Sequence, residues 1–130
     1  MKTELTYLVL VAALTGLMWI PYVLNRLAVR GISATVGYPE NPKPQTPWAN
    51  RMKAAHANAV ENLVVFAALV LAAGIAGVSN GATMFAAALY FWSRLVHVIA
   101  YTFAVPWIRT LAFAGGFLAQ AIFAWQLLAR

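Results

Sequence analysis

A length of 130 residues suits one soluble domain, yet 63% of the chain is hydrophobic and only 9% is charged, against about 25% charged in soluble domains. That composition excludes an ordinary soluble fold and points to a membrane protein. The net charge of +6 is gathered between apolar runs, so it reads as membrane topology and not as a nucleic-acid footprint, and the lack of cysteine leaves any thiol chemistry to a thiol carried by a ligand.

The first apolar run, 5–24, is about 20 residues long and spans a hydrocarbon core of roughly 30 Å at helical rise. Pro21 near its end is placed to splay the last turn. Arg26 and Arg30 follow this run, whereas Lys2 before it is offset by Glu4. A signal peptide has the opposite asymmetry, so the segment is expected to stay attached.

Residues 25–53 are predicted to form a basic loop, with Arg26, Arg30, Lys43, Arg51 and Lys53 against the single acid Glu40. Pro39, Pro42, Pro44 and Pro47 oppose a long helix there. Tyr38 and Trp48 are placed for headgroup depth. A second span is predicted over 56–78, a tight turn at Ser79-Asn80-Gly81, a third span over 82–105, a break at Pro106 and a fourth span over 108–129. The fold class is therefore all-α integral membrane, a four-transmembrane-helix up-and-down bundle. The positive-inside rule puts the basic loop in the cytoplasm and both termini outside.

Polar side chains enter the membrane on two spans. On the second, Arg51, Asn58 and Glu61 share a face while His56 points elsewhere; on the third, Arg94, His97 and Tyr101 share a face. Arg94 falls roughly 15 Å of helix below the membrane surface, where an ionisable group needs a partner, and Glu61 is the expected one. That pair is read first as a structural lock, with Asn58 and His97 as interhelical hydrogen-bonding groups. Arg51, Arg94 and Arg109 nevertheless outnumber the single buried acid, and the surplus suits an anionic ligand. Arg109 is equally consistent with an interfacial anchor. Tyr90, Phe91 and Trp92 are expected to meet lipid or neighbouring helices, Gly74, Gly77, Gly115 and Gly116 to permit close helix approach, and the Thr110 hydroxyl to bond within its own helix start. No metal site is expected.

At these residues the sequence resembles the MAPEG family, the membrane-associated proteins of eicosanoid and glutathione metabolism, and within it a bacterial branch. The family pattern sets a basic residue, Asn and Glu at the start of the second helix, here Arg51, Asn58 and Glu61. An Arg, His, Tyr and later Arg follow around the third-to-fourth connection, here Arg94, His97, Tyr101 and Arg109. The resemblance covers nearly the whole chain and implies a MAPEG-like homotrimer with glutathione held between subunits near the cytoplasmic face. A lipophilic small molecule would enter from the bilayer among the membrane lipids.

In that picture Arg51, Asn58, Glu61, Arg94, His97 and Tyr101 resemble tripeptide contacts, and Arg26 contributes from the adjacent subunit. Arg109 resembles the arginine that stabilises the thiolate, the nucleophilic form of a thiol. Three positions depart from the family: Ala54 and Ala57 stand where eicosanoid-forming members carry arginines for the tripeptide carboxylates, and Phe113 where several carry a tyrosine.

The leading expectation is a glutathione transferase or peroxidase-like enzyme of a bacterial inner membrane, acting on lipophilic electrophiles. A non-catalytic relative binding another anionic lipid or metabolite is the alternative. A small multidrug transporter ranks third, because such proteins rely on an acid in the first helix and residues 5–24 contain none.

Overall fold

The computed structural model describes residues 1–129, which form five α-helices and no strand. These are α1 (Thr3–Leu17), α2 (Trp19–Val36), α3 (Pro47–Ala76), α4 (Gly81–Thr102) and α5 (Pro106–Leu128). α1 and α2 follow end to end as a kinked rod of 34 residues, so that with helices of 30, 22 and 23 residues there are four apolar stretches long enough to cross a membrane. The interruption comes from Pro21, which has no N–H to give the carbonyl of Leu17 and crowds that carbonyl with its ring. The chain tightens instead at Met18, whose N–H donates to Thr15 O at 3.4 Å.

The basic segment departs from the sequence expectation at both ends. Helix does not stop at Asn25; it runs to Val36 and carries Arg26 and Arg30 with it, because Leu27, Ala28, Ala34 and the arginines themselves favour helix and charge alone does not end one. Within it Gly31 has φ 78° and ψ 170°, a bend that only glycine takes without cost. At the other end α3 begins at Pro47 and not near His56, since the first helical turn needs no N–H from its proline. Of residues 25–53, only 37–46 lie outside helix.

Gln45, which is buried, ties that connection to α2. Its amide nitrogen donates to Tyr22 O at 2.7 Å and to Asn25 Oδ1 at 3.2 Å, and its oxygen accepts from Arg26 Nε at 3.2 Å. Thr46, next to it, accepts from Asn25 Nδ2 at 2.8 Å. The Thr46 hydroxyl makes no cap bond to α3, although its carbonyl accepts from Ala49 and Asn50.

At the opposite end α3 closes on Gly77 at φ 72°, with Val78 N–H donating to Ala73 O at 2.9 Å and Gly77 N–H to Gly74 O at 3.3 Å, a Schellman ending. α4 then opens with a capping box. Thr83 N–H donates to Asn80 Oδ1 at 3.0 Å and Asn80 N–H donates to Thr83 Oγ1 at 2.9 Å. The same threonine hydroxyl donates to Glu4 Oε1 at 2.7 Å, joined by Ser79 Oγ at 2.9 Å. α1 starts at Thr3, so the first span does contain an acid, contrary to the reading of 5–24. Glu4 is only 4% exposed and is tied to the α3–α4 turn.

Two apolar clusters fill the bundle. Away from the basic end, Phe66 stacks on Tyr90 at 3.8 Å between ring centres and meets the edge of Phe123 at 5.9 Å, with Val11, Val70, Ala86 and Ala119 around them. Tyr90 is thus wholly buried, Phe91 packs on Tyr7, and Trp92 is exposed on the outer face. At the basic end Met18, Ala55, Ala59 and Val98 form a smaller cluster. α4 and α5 approach closely at Gly115, where an added Cβ would lie 2.5 Å from Ser93 Oγ.

Candidate functional site

The polar residues of α3, α4 and α5 meet at the basic end of the bundle. The start of α3 lies beside the end of α4 there, where Arg51 Nε donates to Thr102 O at 2.9 Å. A cation on the unpaired carbonyls of a helix C-terminus is favourable. After α4 the chain turns through Ala104, at φ 58°, and Val105 into Pro106, which opens α5. One turn into α5 this brings Arg109 back over α4.

Arg94 is 4% exposed. Its Nη2 donates to Asn58 Oδ1 at 2.7 Å and lies 3.3 Å from His97 Nδ1. A guanidinium can only donate, so Nδ1 accepts and the ring hydrogen of His97 sits on Nε2. Asn58 is held in turn by Asn62, whose Nδ2 donates to Asn58 O at 2.9 Å and to Oδ1 at 3.3 Å. Gln120 Nε2 on α5 donates to Asn62 O at 3.2 Å. The expected Glu61–Arg94 pair is absent: Glu61 is exposed on the outer side of α3, and no ion pair joins it to Arg94. Asn58 and Glu61 are three residues apart, about 60° around the helix. The amide takes the inward position, and the carboxylate is left outside.

In front of Asn58 and His97 lies an open groove of about 330 Å³, lined also by Tyr101, Arg109, Thr110 and Phe113. The Arg109 guanidinium carbon stands 4.8 Å from the centre of the Tyr101 ring, a cation–π arrangement. The ring of His97 lies 5.7 Å from that of Tyr101 and 6.3 Å from that of Phe113. Arg109 is exposed and makes no carboxylate contact among the described residues. Thr110 Oγ1 donates to Pro106 O at 3.2 Å, so the hydroxyl is engaged inside its own helix.

Asn58, His97, Tyr101 and Arg109 therefore share one groove, with Arg94 behind them. Arg51 is outside it, lining a neighbouring hollow of about 200 Å³ with Tyr101, Pro106 and Arg109. Arg26 sits on α2 at Gln45, away from the groove. Ala54 and Ala57 are exposed on α3 and bring no cation. Sequence reading missed the support from Asn62 and Gln120, and the pairing of Tyr22 Oη with His56 Nδ1 at 2.7 Å that joins α2 to α3. Gln120 gave no signal, being a single polar residue inside an apolar run, and Asn62 was overshadowed by Glu61 beside it.

The MAPEG family model matches residues 7–129, taking in nearly all of the first span and the whole of the other three. The chain belongs to the MAPEG family. It is accordingly an integral membrane protein built as a four-helix bundle, and the groove lies wholly within the MAPEG match. No curated protein matches the sequence.

Proposed function

We propose that the groove binds glutathione and that the chain is a membrane glutathione transferase or peroxidase-like enzyme acting on lipophilic electrophiles. The observation that carries this reading is Arg109, an exposed guanidinium on the groove wall with an aromatic ring behind it and no protein carboxylate upon it. A cation at that position lowers the pKa of a thiol brought beside it. The thiol proton leaves to solvent, the sulfur pair forms a bond to the electrophilic carbon, and the displaced group departs with its own pair. Asn58, His97 Nε2–H and Tyr101 supply neutral contacts around the tripeptide, while buried Arg94 fixes Asn58 and His97.

Glu61 supports the homotrimer. Ala54, Ala57, Glu61, Val64, Ala68, Leu71 and Ile75 recur at three- and four-residue steps along α3, and every one is exposed. Such a stripe is a helix–helix seam, and a carboxylate within it belongs against another copy and not against hydrocarbon. In that assembly Glu61 receives the tripeptide's ammonium at the subunit boundary, Arg51 a carboxylate, and Arg26 of a neighbouring copy the other. The basic end faces the cytoplasm of a bacterial inner membrane, leaving both termini outside.

The second reading, a non-catalytic relative that binds another anionic lipid or metabolite, is favoured by Ala54 and Ala57. With no cation at either position, Arg109 is the only charged side chain lining the groove among the described residues. Calorimetric titration of glutathione into the purified protein decides between the two. Saturable binding weakened at least tenfold by Arg109→Ala and by Asn58→Ala supports the enzyme. An absence of binding at millimolar glutathione, with the oligomer intact, selects the second reading.

A further inference from the structure

A second groove lies at the basic end, of about 440 Å³ and walled almost entirely by carbon. Pro21 of α2, Trp48 and Met52 of α3, Ile99 and Thr102 of α4, and Phe103 just after it line the groove. It belongs to a different side of α4 from the Arg109 groove: His97 and Tyr101 face one, Val98 and Thr102 the other, about 100° around the helix. It also lies away from the seam on α3, since Trp48 and Met52 are roughly opposite Ala54 and Ala57 at about 100° per residue. The seam itself therefore does not include this groove.

Two polar features sit at its edge. Thr102 Oγ1 is buried and has no hydrogen-bond partner among the described residues, although its residue is part of an apolar wall. Arg51 stands on the Thr102 carbonyl through Nε alone, and its Nη donors make no hydrogen bond among the described residues. Arg26, Arg30, Lys43 and Lys53 share this end of the bundle, against the acids Glu40 and Glu61. An acyl-sized apolar cleft within a surplus of cations selects a ligand with a hydrocarbon tail and a negative head.

We infer that this groove is a binding site for an anionic glycerophospholipid of the surrounding bilayer. One acyl chain lies along Pro21, Met52 and Ile99, and the phosphate is held by the Nη groups of Arg51, with Trp48 at headgroup depth. The lipid fastens the break in the α1–α2 rod to the start of α3 and the end of α4. The site shares Arg51 with the glutathione reading, whereas Ile99 and Phe103 line this groove alone and test it separately.

Native mass spectrometry of the full chain in a non-ionic detergent, with equal amounts of phosphatidylglycerol and phosphatidylcholine bearing identical chains, tests the assignment. Wild type should retain the anionic lipid about fivefold over the zwitterionic one. Arg51→Gln should erase that preference while keeping lipid bound. Ile99→Trp, which fills the cleft from a half-exposed position, should lose most of the adduct. Phe103→Ala, which strips one wall at an exposed site, serves as the second variant and should lower retention as well. Equal retention of the two lipids by wild type overturns the assignment, as does undiminished retention in both groove variants. Displacement of the lipid by tail-less glycerol phosphate overturns it too, in favour of a bare anion site.

Discussion

Arg94 and Asn58 are joined by a 2.7 Å hydrogen bond across the α3–α4 interface. A buried guanidinium thereby donates to a neutral amide on the inward side of α3, its Nε having no partner among the described residues, while Glu61 is turned outward. The internal lock of the bundle is an amide–cation contact, and the carboxylate is left available to a neighbouring surface.

Asn58→Ala removes a charge-assisted acceptor from a buried cation and should destabilise the folded chain by about 2–3 kcal/mol. Glu61→Gln should leave the unfolding of the single chain within about 0.5 kcal/mol of wild type, its effect falling on assembly. Thermal unfolding in detergent together with size-exclusion light scattering separates the two. An Asn58→Ala variant as stable as wild type would remove Arg94–Asn58 as the lock.

Glu4 accepts from two hydroxyls with one oxygen. Glu4→Gln keeps that acceptor and should be nearly silent, whereas Glu4→Ala leaves the hydroxyls of Ser79 and Thr83 without it and should cost about 1–3 kcal/mol. Denaturant unfolding of the two variants side by side gives the comparison. Equal losses would mean that charge, and not the hydrogen bonds, matters at this corner.

Gly115→Ala places a methyl group 2.5 Å from Ser93 Oγ. Overpacking at this close helix contact should cost about 1–3 kcal/mol. Ser93→Ala in the same chain removes the opposing oxygen and should recover most of the loss in a double-mutant cycle. Additive effects would argue that the helices separate instead of the side chain yielding.

Gln45→Leu deletes the bonds to Tyr22 O, Asn25 Oδ1 and Arg26 Nε at once. Cleavage within residues 37–46 by a protease added from the basic side should speed up several-fold, while the four spans remain helical by circular dichroism. Unchanged cleavage would show that the flanking helices hold this connection without Gln45.

The spans were legible because hydropathy over about 20 residues is a strong signal, and the turn at Asn80 because its cap is local, with donor and acceptor three residues apart. The groove was legible in its membership: Asn58, His97, Tyr101 and Arg109 were singled out by polarity and spacing and do meet. The partner of Arg94 was not, since Asn58 and Glu61 differ by only about 60° around α3 and periodicity does not resolve which is turned inward. The extension of α2 to Val36 was hidden for another reason. Arginines after an apolar run mark where the hydrocarbon ends, and a helix carries on into the headgroups until something breaks its hydrogen bonds. Gln45 was invisible because its partners lie about 20 residues back in the chain.

Phe66, Tyr90 and Phe123 are each at most 1% exposed and form a stacked plug across the half of the bundle away from the basic end. Water and ions meet aromatic carbon there, whichever end they come from. A polar solute that reaches Arg109 from the basic side therefore has no path onward through the subunit's own interior and leaves by that side. A solute with a greasy tail has the bilayer itself as its second exit.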